Sequence, residues 1–262
     1  MDLGLRGRVA LVAAGSKGLG RAVAEELAAE GASVVICARG AEALQATCAS
    51  ISHHGGRVHG VVADVSNAED VERVVAEGQA VFGPIDILVT NSGGPRAGRF
   101  ETLTPTDWDE ATRILLTSAV TFARAVLPGM RAKRWGRILN VTSIAAKQPV
   151  QGLMLSNSLR SAVIAFGRTL ANEVAAEGIT VNNLLPGYTR TERVVDLSEM
   201  MATAEGGTPS AVVGRWEAEI PMRRIGEPRE FAALAVFLAS DRASYITGQS
   251  IAVDGGWIKG LL

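Results

Sequence analysis

The chain has 262 residues, 47% of them hydrophobic, and its 26 lysines and arginines nearly balance 27 aspartates and glutamates for a formal net charge of −1. With no long run of either sign, electrostatic capture of nucleic acid or of an anionic membrane is not expected, which leaves a small molecule as the partner. No apolar run nears the ~18 residues of a membrane span and residues 1–8 lack the form of a secretory leader, so a cytoplasmic location is expected.

Short β-branched runs at 8–13, 33–38, 57–63, 85–90, 137–142, 179–185 and 250–253 predict strands. Between them, segments such as 19–30 and 68–82 place apolar residues three or four apart, the spacing of helices that bury one face. Such alternation predicts parallel strands joined by crossover helices that cover both sides of the sheet. Gly31, Gly83 and Gly178 each end a helical run. The polar stretch 189–221 precedes a helix at 227–239 and is read as an insertion over the carboxyl ends of the strands, where Met200 and Met201 are candidates for an adaptable pocket or for ordinary packing. No linker or repeat divides the chain, so one domain over 1–262 is expected. Cys37 and Cys48 have no metal-ligand or redox spacing and read as buried free thiols. His53, His54 and His59 fall early in the chain, away from the later motifs, and no metal site is expected.

The first strand runs into Val12-Ala-Ala-Gly-Ser-Lys-Gly-Leu-Gly20 and then a helix, an arrangement that offers free backbone N–H groups and a positive helix end to a phosphate. That spacing alone is a weak signal. It is joined by Ala63-Asp64-Val65, Asn91-Ser-Gly-Gly94, Asn140-Val-Thr-Ser143, Pro186-Gly-Tyr-Thr-Arg-Thr191 and Thr247-Gly-Gln-Ser-Ile-Ala-Val-Asp-Gly-Gly256. Together these motifs resemble the short-chain dehydrogenase/reductase superfamily from end to end, and within it an atypical group related to β-ketoacyl-acyl-carrier-protein reductases. The resemblance implies an α/β, Rossmann-like, doubly wound parallel sheet of about seven strands with a dinucleotide at the strand ends.

By that resemblance Gly15, Ser16, Lys17, Gly18, Leu19 and Gly20 form the phosphate turn, Asp64 and Val65 flank the adenine, Asn91 and Gly93 approach the ribose, and Pro186, Gly187 and Thr189 border the nicotinamide. Asp64 has a second reading as the cap of the helix starting near Asn67. The family's first turn glycine is replaced in Ala13-Ala14-Gly15, so either Ala14 takes a positive φ under strain or the burden moves to Gly15. Arg39 follows the second strand, where many NAD-binding relatives place a carboxylate slightly earlier; here Cys37 and Ala38 stand there. Arg39 and Lys17 suit a 2′-phosphate, which favours NADP (NADPH) over NAD, although an isolated arginine by itself reads as a solubilised surface turn.

The same resemblance exposes a depleted catalytic site. The family's acid is a tyrosine whose pKa, near ~10 when free, is lowered by a lysine four residues on. Aligned on Val163 and Phe166, the tyrosine position is Ser156 and the lysine position Arg160, while the supporting asparagine falls on Leu115; Ser143 alone survives. A helix keeps Ser156 and Arg160 on one face. Serine does not ionise near neutral pH unaided, and Arg160 binds anions or a ribose hydroxyl but is a poor proton shuttle. Tyr188 is a candidate replacement acid facing the nicotinamide pocket, although a packing wall beside the cofactor is the favoured reading; Tyr245 lies near the C-terminal motif, and Lys147, on the loop after the fifth strand, either approaches the substrate or, the favoured reading, is an exposed lysine.

Three functions remain open: an NADP-linked oxidoreductase acting on an unidentified carbonyl or alcohol with a noncanonical proton donor, a catalytically silent nucleotide-binding homologue or oligomer partner, and a non-redox lyase or isomerase. By resemblance, helices within 108–134 and 152–177 serve a homodimer or homotetramer, with burial of their apolar faces on the sheet as the equal alternative, and a mixed oligomer is a further reading.

Overall fold

A computed structural model describes residues 2–261. The strands are β1 (Val9–Val12), β2 (Ser33–Ala38), β3 (Arg57–Val62), β4 (Ile87–Thr90), β5 (Gly136–Val141), β6 (Ile179–Pro186) and β7 (Ser250–Val253). They form one sheet in the order β3-β2-β1-β4-β5-β6-β7, every pair parallel. This is the seven-stranded Rossmann-like architecture that the sequence predicts, with strand ends displaced by a residue or two, the usual fraying of such boundaries.

The helices are α1 (Gly18–Ala29), α2 (Ala41–His53), α3 (Ala68–Phe82), α4 (Pro105–Thr112), α5 (Ser118–Lys133), α6 (Met154–Val174), α7 (Glu192–Glu205), α8 (Pro209–Glu219) and α9 (Pro228–Ala239). Alternation along the strands sorts the core into two layers. Ala10 and Val12 of β1 pack with Val23 and Leu27 of α1 and Phe231 and Leu238 of α9. Val9 and Leu11 face the other way, toward Val74 of α3, Phe122 and Met130 of α5, and Leu170 of α6. Because both faces of the inner strands are covered, β1 reads Val-Ala-Leu-Val with no polar position.

Two departures bear on the site. The helix predicted through 108–134 is interrupted by a π-helical turn at Arg113–Thr117, between α4 and α5. Ser118 Oγ donates to the Ile114 carbonyl inside this turn at 2.5 Å. The 189–221 stretch, expected only as an insertion, is the helical pair α7 and α8, joined through Ala202, Val212 and Trp216. Met201 packs into that cluster and Met200 is exposed, so the methionines belong to packing and surface. No helix among the described residues is long and apolar enough to cross a membrane.

Candidate cofactor and substrate cleft

Strand order reverses between β1, whose successor β2 lies on one side, and β4 on the other, and a cleft of about 700 Å³ opens at the carboxyl ends there. One end is lined by Ser16, Lys17, Gly18, Leu19, Arg39 and Asp64; the other by Ser143, Ser156, Arg160 and Tyr188, with Asn91 and Gly93 between. Val65, Pro186, Gly187 and Thr189 also border it. The sequence-selected residues are thus brought together, apart from two. Gly15 and Gly20 are buried and absent from the wall. Both shape the turn from behind, because a Cβ on Gly15 would meet Ile36 Cγ2 at 2.9 Å and one on Gly20 would meet Asn91 Nδ2 at 2.7 Å.

The turn resolves the alternative left by its missing first glycine. Ala14 itself takes φ 47°, while Gly15, with no positive φ, donates its N–H to the Cys37 carbonyl at 3.0 Å. A left-handed alanine costs roughly 1–2 kcal/mol. Asn91 Nδ2 reaches the Ala14 carbonyl at 3.4 Å, which ties the strained residue to the end of β4. Behind the turn, α1 begins at Gly18 with no side chain capping its first amides, and the exposed Lys17 and Arg39 form no ion pair among the described residues. Open N–H groups at a helix start beside two free cations fit a phosphate-bearing ligand. Asp64 is not the cap of α3: Asn67 fills that role by accepting from Glu69 N at 2.9 Å, and Asp64 Oδ1 accepts instead from Ser66 N at 2.9 Å and Ser66 Oγ at 2.8 Å.

At the other end, one polar side chain from each of four strands forms a buried relay of hydrogen bonds. Thr90 Oγ1 donates to Asn140 Oδ1 at 2.8 Å, Asn140 Nδ2 to Asn183 Oδ1 at 3.0 Å, and Asn183 Nδ2 to Ser250 Oγ at 3.2 Å. Helix α6 lies close against this relay, since a Cβ on Gly167 would come within 2.7 Å of Asn140 Nδ2. That approach sets Ser156 and Arg160 against the end of β5.

Arg160 Nε donates to Ser156 Oγ at 3.2 Å, and its Nη1 donates to the carbonyls of Val141 at 3.1 Å and Thr142 at 2.7 Å. Burial, with the positive Arg193 as a lesser cause, brings the Arg160 pKa down to about 10, so the side chain stays charged at neutral pH. Ser143 Oγ accepts from Ala145 N at 3.1 Å, leaving its O–H free to donate. Leu115 is buried in the π turn where the resemblance placed an asparagine, and it borders a small gap beside Thr90, Ser118 and Arg160.

Tyr188 stacks on Trp216 with ring centres 4.5 Å apart and meets Trp257 edge-on at 6.1 Å. Burial first, and Glu219 second, push its pKa up to about 12, the reverse of what an acid working near neutrality needs. It is a wall of the cleft. Lys147 is exposed and Tyr245 fully so, and neither lines the cleft. Cys37 is a buried thiol with its pKa raised to about 12, mainly by desolvation. His59 lies on the edge strand β3, whereas Ser143 follows β5.

Sequence reasoning missed the contribution of α7. Thr191, at its start, packs over Gly18, and Arg193 spans the cleft to donate from Nη2 to the Pro95 carbonyl at 3.3 Å. The Pro-Gly-Tyr-Thr-Arg-Thr motif carried a signal for Thr191, but nothing in the one-dimensional pattern brought Arg193 to residues 94 and 95.

Comparison with known proteins agrees with this geometry. Residues 13–258 match the family described as enoyl-(acyl carrier protein) reductase. A 3-oxoacyl-[acyl-carrier-protein] reductase of Vibrio cholerae is 36% identical, over 97% of this chain and 98% of its own length. The putative ketoacyl reductase of a monensin polyketide synthase from Streptomyces virginiae is 38% identical, over 95% of this chain and 96% of its own. The crystal structure of L-sorbose reductase from Gluconobacter frateurii, complexed with NADPH and L-sorbose, superposes with a TM-score of 0.95 and 35% identity, covering 100% of both chains.

Proposed function

The chain belongs to the short-chain dehydrogenase/reductase superfamily of oxidoreductases, and on that premise we propose that it is an NADPH-linked reductase of a carbonyl compound that works without a tyrosine acid. The observation that carries this reading is the continuity of the cleft from Lys17 and Arg39 at the phosphate turn to the hydroxyls of Ser143 and Ser156. The uncapped start of α1 would hold the diphosphate, Lys17 and Arg39 the 2′-phosphate, Asp64 and Val65 the adenine side, Asn91 and Gly93 a ribose, and Pro186, Gly187 and Thr189 the nicotinamide end. Gly93 fits such a role because a Cβ there would meet nothing within 4 Å.

When bound, NADPH supplies the hydride. Ser143 and Ser156 each have an oxygen already accepting a hydrogen bond, from Ala145 N and Arg160 Nε, so both hydroxyl protons remain to donate to the substrate oxygen. As the carbonyl carbon gains the hydride, negative charge collects on that oxygen, where the two O–H donors and the fixed charge of Arg160 stabilise it. Neither serine gives up its proton. The oxyanion takes one from water in the cleft, forming the alcohol and releasing hydroxide to solvent. Arg160, through the Nη2 that its other bonds leave over, would hold a ribose hydroxyl in the role the family resemblance gives to a lysine.

The test is consumption of NADPH, followed optically, over a broad panel of aldehydes and ketones, with NADPH affinity measured separately. Carbonyl-dependent oxidation is expected, and its absence together with failure to bind NADPH overturns the reading. A second reading, a silent nucleotide-binding homologue, is favoured by the way Arg160 is engaged by Val141, Thr142 and Ser156. Its signature is NADPH binding without turnover on any carbonyl.

A further inference from the structure

Resting on the reading of this cleft as a carbonyl-reducing site, we infer that the substrate also carries a carboxylate and that Arg193 receives it. Arg193 stands in the first turn of α7, and its guanidinium lies over Gly94, where an added methyl would meet Nε at 2.8 Å and Nη2 at 2.9 Å. Its one hydrogen bond among the described residues is the contact from Nη2 to the Pro95 carbonyl, which leaves Nε and Nη1 unengaged. Arg160 likewise commits Nε and Nη1 to Ser156, Val141 and Thr142 and keeps Nη2 without a partner.

Neither arginine forms an ion pair among the described residues. They are near enough for Arg193 to be one of the two causes that depress the Arg160 pKa. Arg160 is half-buried and Arg193 exposed, and an anion bound between two such charges relieves their mutual repulsion. Glu192 and Asp196, on the same helix, border the cleft but pair with neither arginine, whereas Arg96 on the rim is already neutralised by Asp107 at 2.9 Å.

The uncapped start of α1, Lys17 and Arg39 already serve the phosphates of the proposed cofactor, and although Thr191 at the head of α7 packs over Gly18, the Arg193 guanidinium itself lies over Gly94 and bonds to Pro95. A carboxylate presents two oxygens to the planar fork of a guanidinium, the geometry of the strongest charge-assisted hydrogen bonds. The substrate is then an oxo acid, with its carbonyl at Ser143 and Ser156 and its carboxylate at Arg193.

Oxo acids of different carbonyl-to-carboxylate spacing test this directly. Pyruvate, acetoacetate and levulinate, each beside its methyl ester, are titrated into protein saturated with NADP⁺, and binding is read from tryptophan fluorescence, Trp216 being stacked on the cleft residue Tyr188. At least one acid is expected to bind ~10-fold or more tightly than its ester. That preference is expected to fall within ~3-fold in Arg193→Gln, a change at an exposed position that leaves the melting temperature and NADP⁺ affinity in place. Equal binding of every acid and ester by the wild-type protein overturns the inference. So does an Arg193→Gln variant that loses NADP⁺ affinity as far as it loses the acid, since the arginine would then serve a cofactor phosphate. If the wild-type protein binds no NADP⁺, the reductase reading fails by itself. The same titrations on the free protein then decide the role of Arg193: an acid preference lost in Arg193→Gln sustains it, and its absence overturns it.

Discussion

Arg160 Nε donates to Ser156 Oγ at 3.2 Å, one helical turn back along α6, so the two residues that the family resemblance aligns with a tyrosine and a lysine are bonded to each other. The arginine also closes the end of β5 through the Val141 and Thr142 carbonyls, which makes it a strut as well as a charge. Arg160→Met, similar in length but without donors, is expected to lower stability by ~1–3 kcal/mol in urea unfolding. A loss below ~0.5 kcal/mol, the range of a surface change, would show that these bonds do not hold the strand end.

Ala14 occupies a left-handed conformation that glycine adopts freely. Ala14→Gly relieves that strain but gives the unfolded chain more freedom, and the balance is expected to be a gain of ~0.5–1 kcal/mol, read as a raised melting temperature. An unchanged or lowered melting temperature would mean that the bond from Asn91 to the Ala14 carbonyl has already absorbed the strain.

Lys17 and Arg39 line the cleft without an ion pair among the described residues and are the cations proposed for a 2′-phosphate. Arg39→Ala is expected to weaken NADPH binding by ~10- to 100-fold while leaving NADH nearly untouched, the loss of a charge-assisted hydrogen bond made to that phosphate alone. Equal losses for both nucleotides in fluorescence titrations would place Arg39 elsewhere on the cofactor.

Tyr188→Phe is expected to keep kcat within ~3-fold, whereas removing a general acid loses ~100-fold or more. Because the Tyr188 pKa is raised to about 12, its hydroxyl stays protonated across the working range and contributes no break to a pH–rate profile up to pH ~10. The linkage has a definite sign. The burial that favours the neutral ring stabilises the fold fully below the ordinary tyrosine pKa near ~10, and this contribution is lost as pH rises from there through about 12. A large fall in kcat for Tyr188→Phe would make Tyr188 the acid after all.

The fold was legible because the patterns were clean: β1, β2 and β5 are buried at every position, and α3 spaces its buried Val71, Val74, Val75 and Gly78 three or four apart. The turn end of the cleft was legible through residues whose backbone position matters, such as Gly18 and Gly93, which line it together. The catalytic end was less so. The π turn at Arg113–Thr117 obeys no residue pattern that separates it from the α-helices on either side, and it surfaces only when the chain is folded. Asn140 belongs to a recognisable motif and Asn183 to none, and their meaning as partners lies in the pairing of β5 with β6. Nothing in the sequence singles out Arg193, which α7 brings to Pro95, 98 residues away in sequence.

The order of the strands also governs how the molecule comes into being. Residues through β3 supply only β3-β2-β1, and the open side of β1 waits for β4, which pairs with it from Ala10 to Val12. Until then an apolar strand edge lies bare, the kind of template that invites association with other chains. Parallel pairing across such a separation is slow, since the entropy of closing the intervening loop is lost before any strand pairing offsets it. The cleft straddles this seam, so nascent chains have nowhere to seat a nucleotide until the two halves have met.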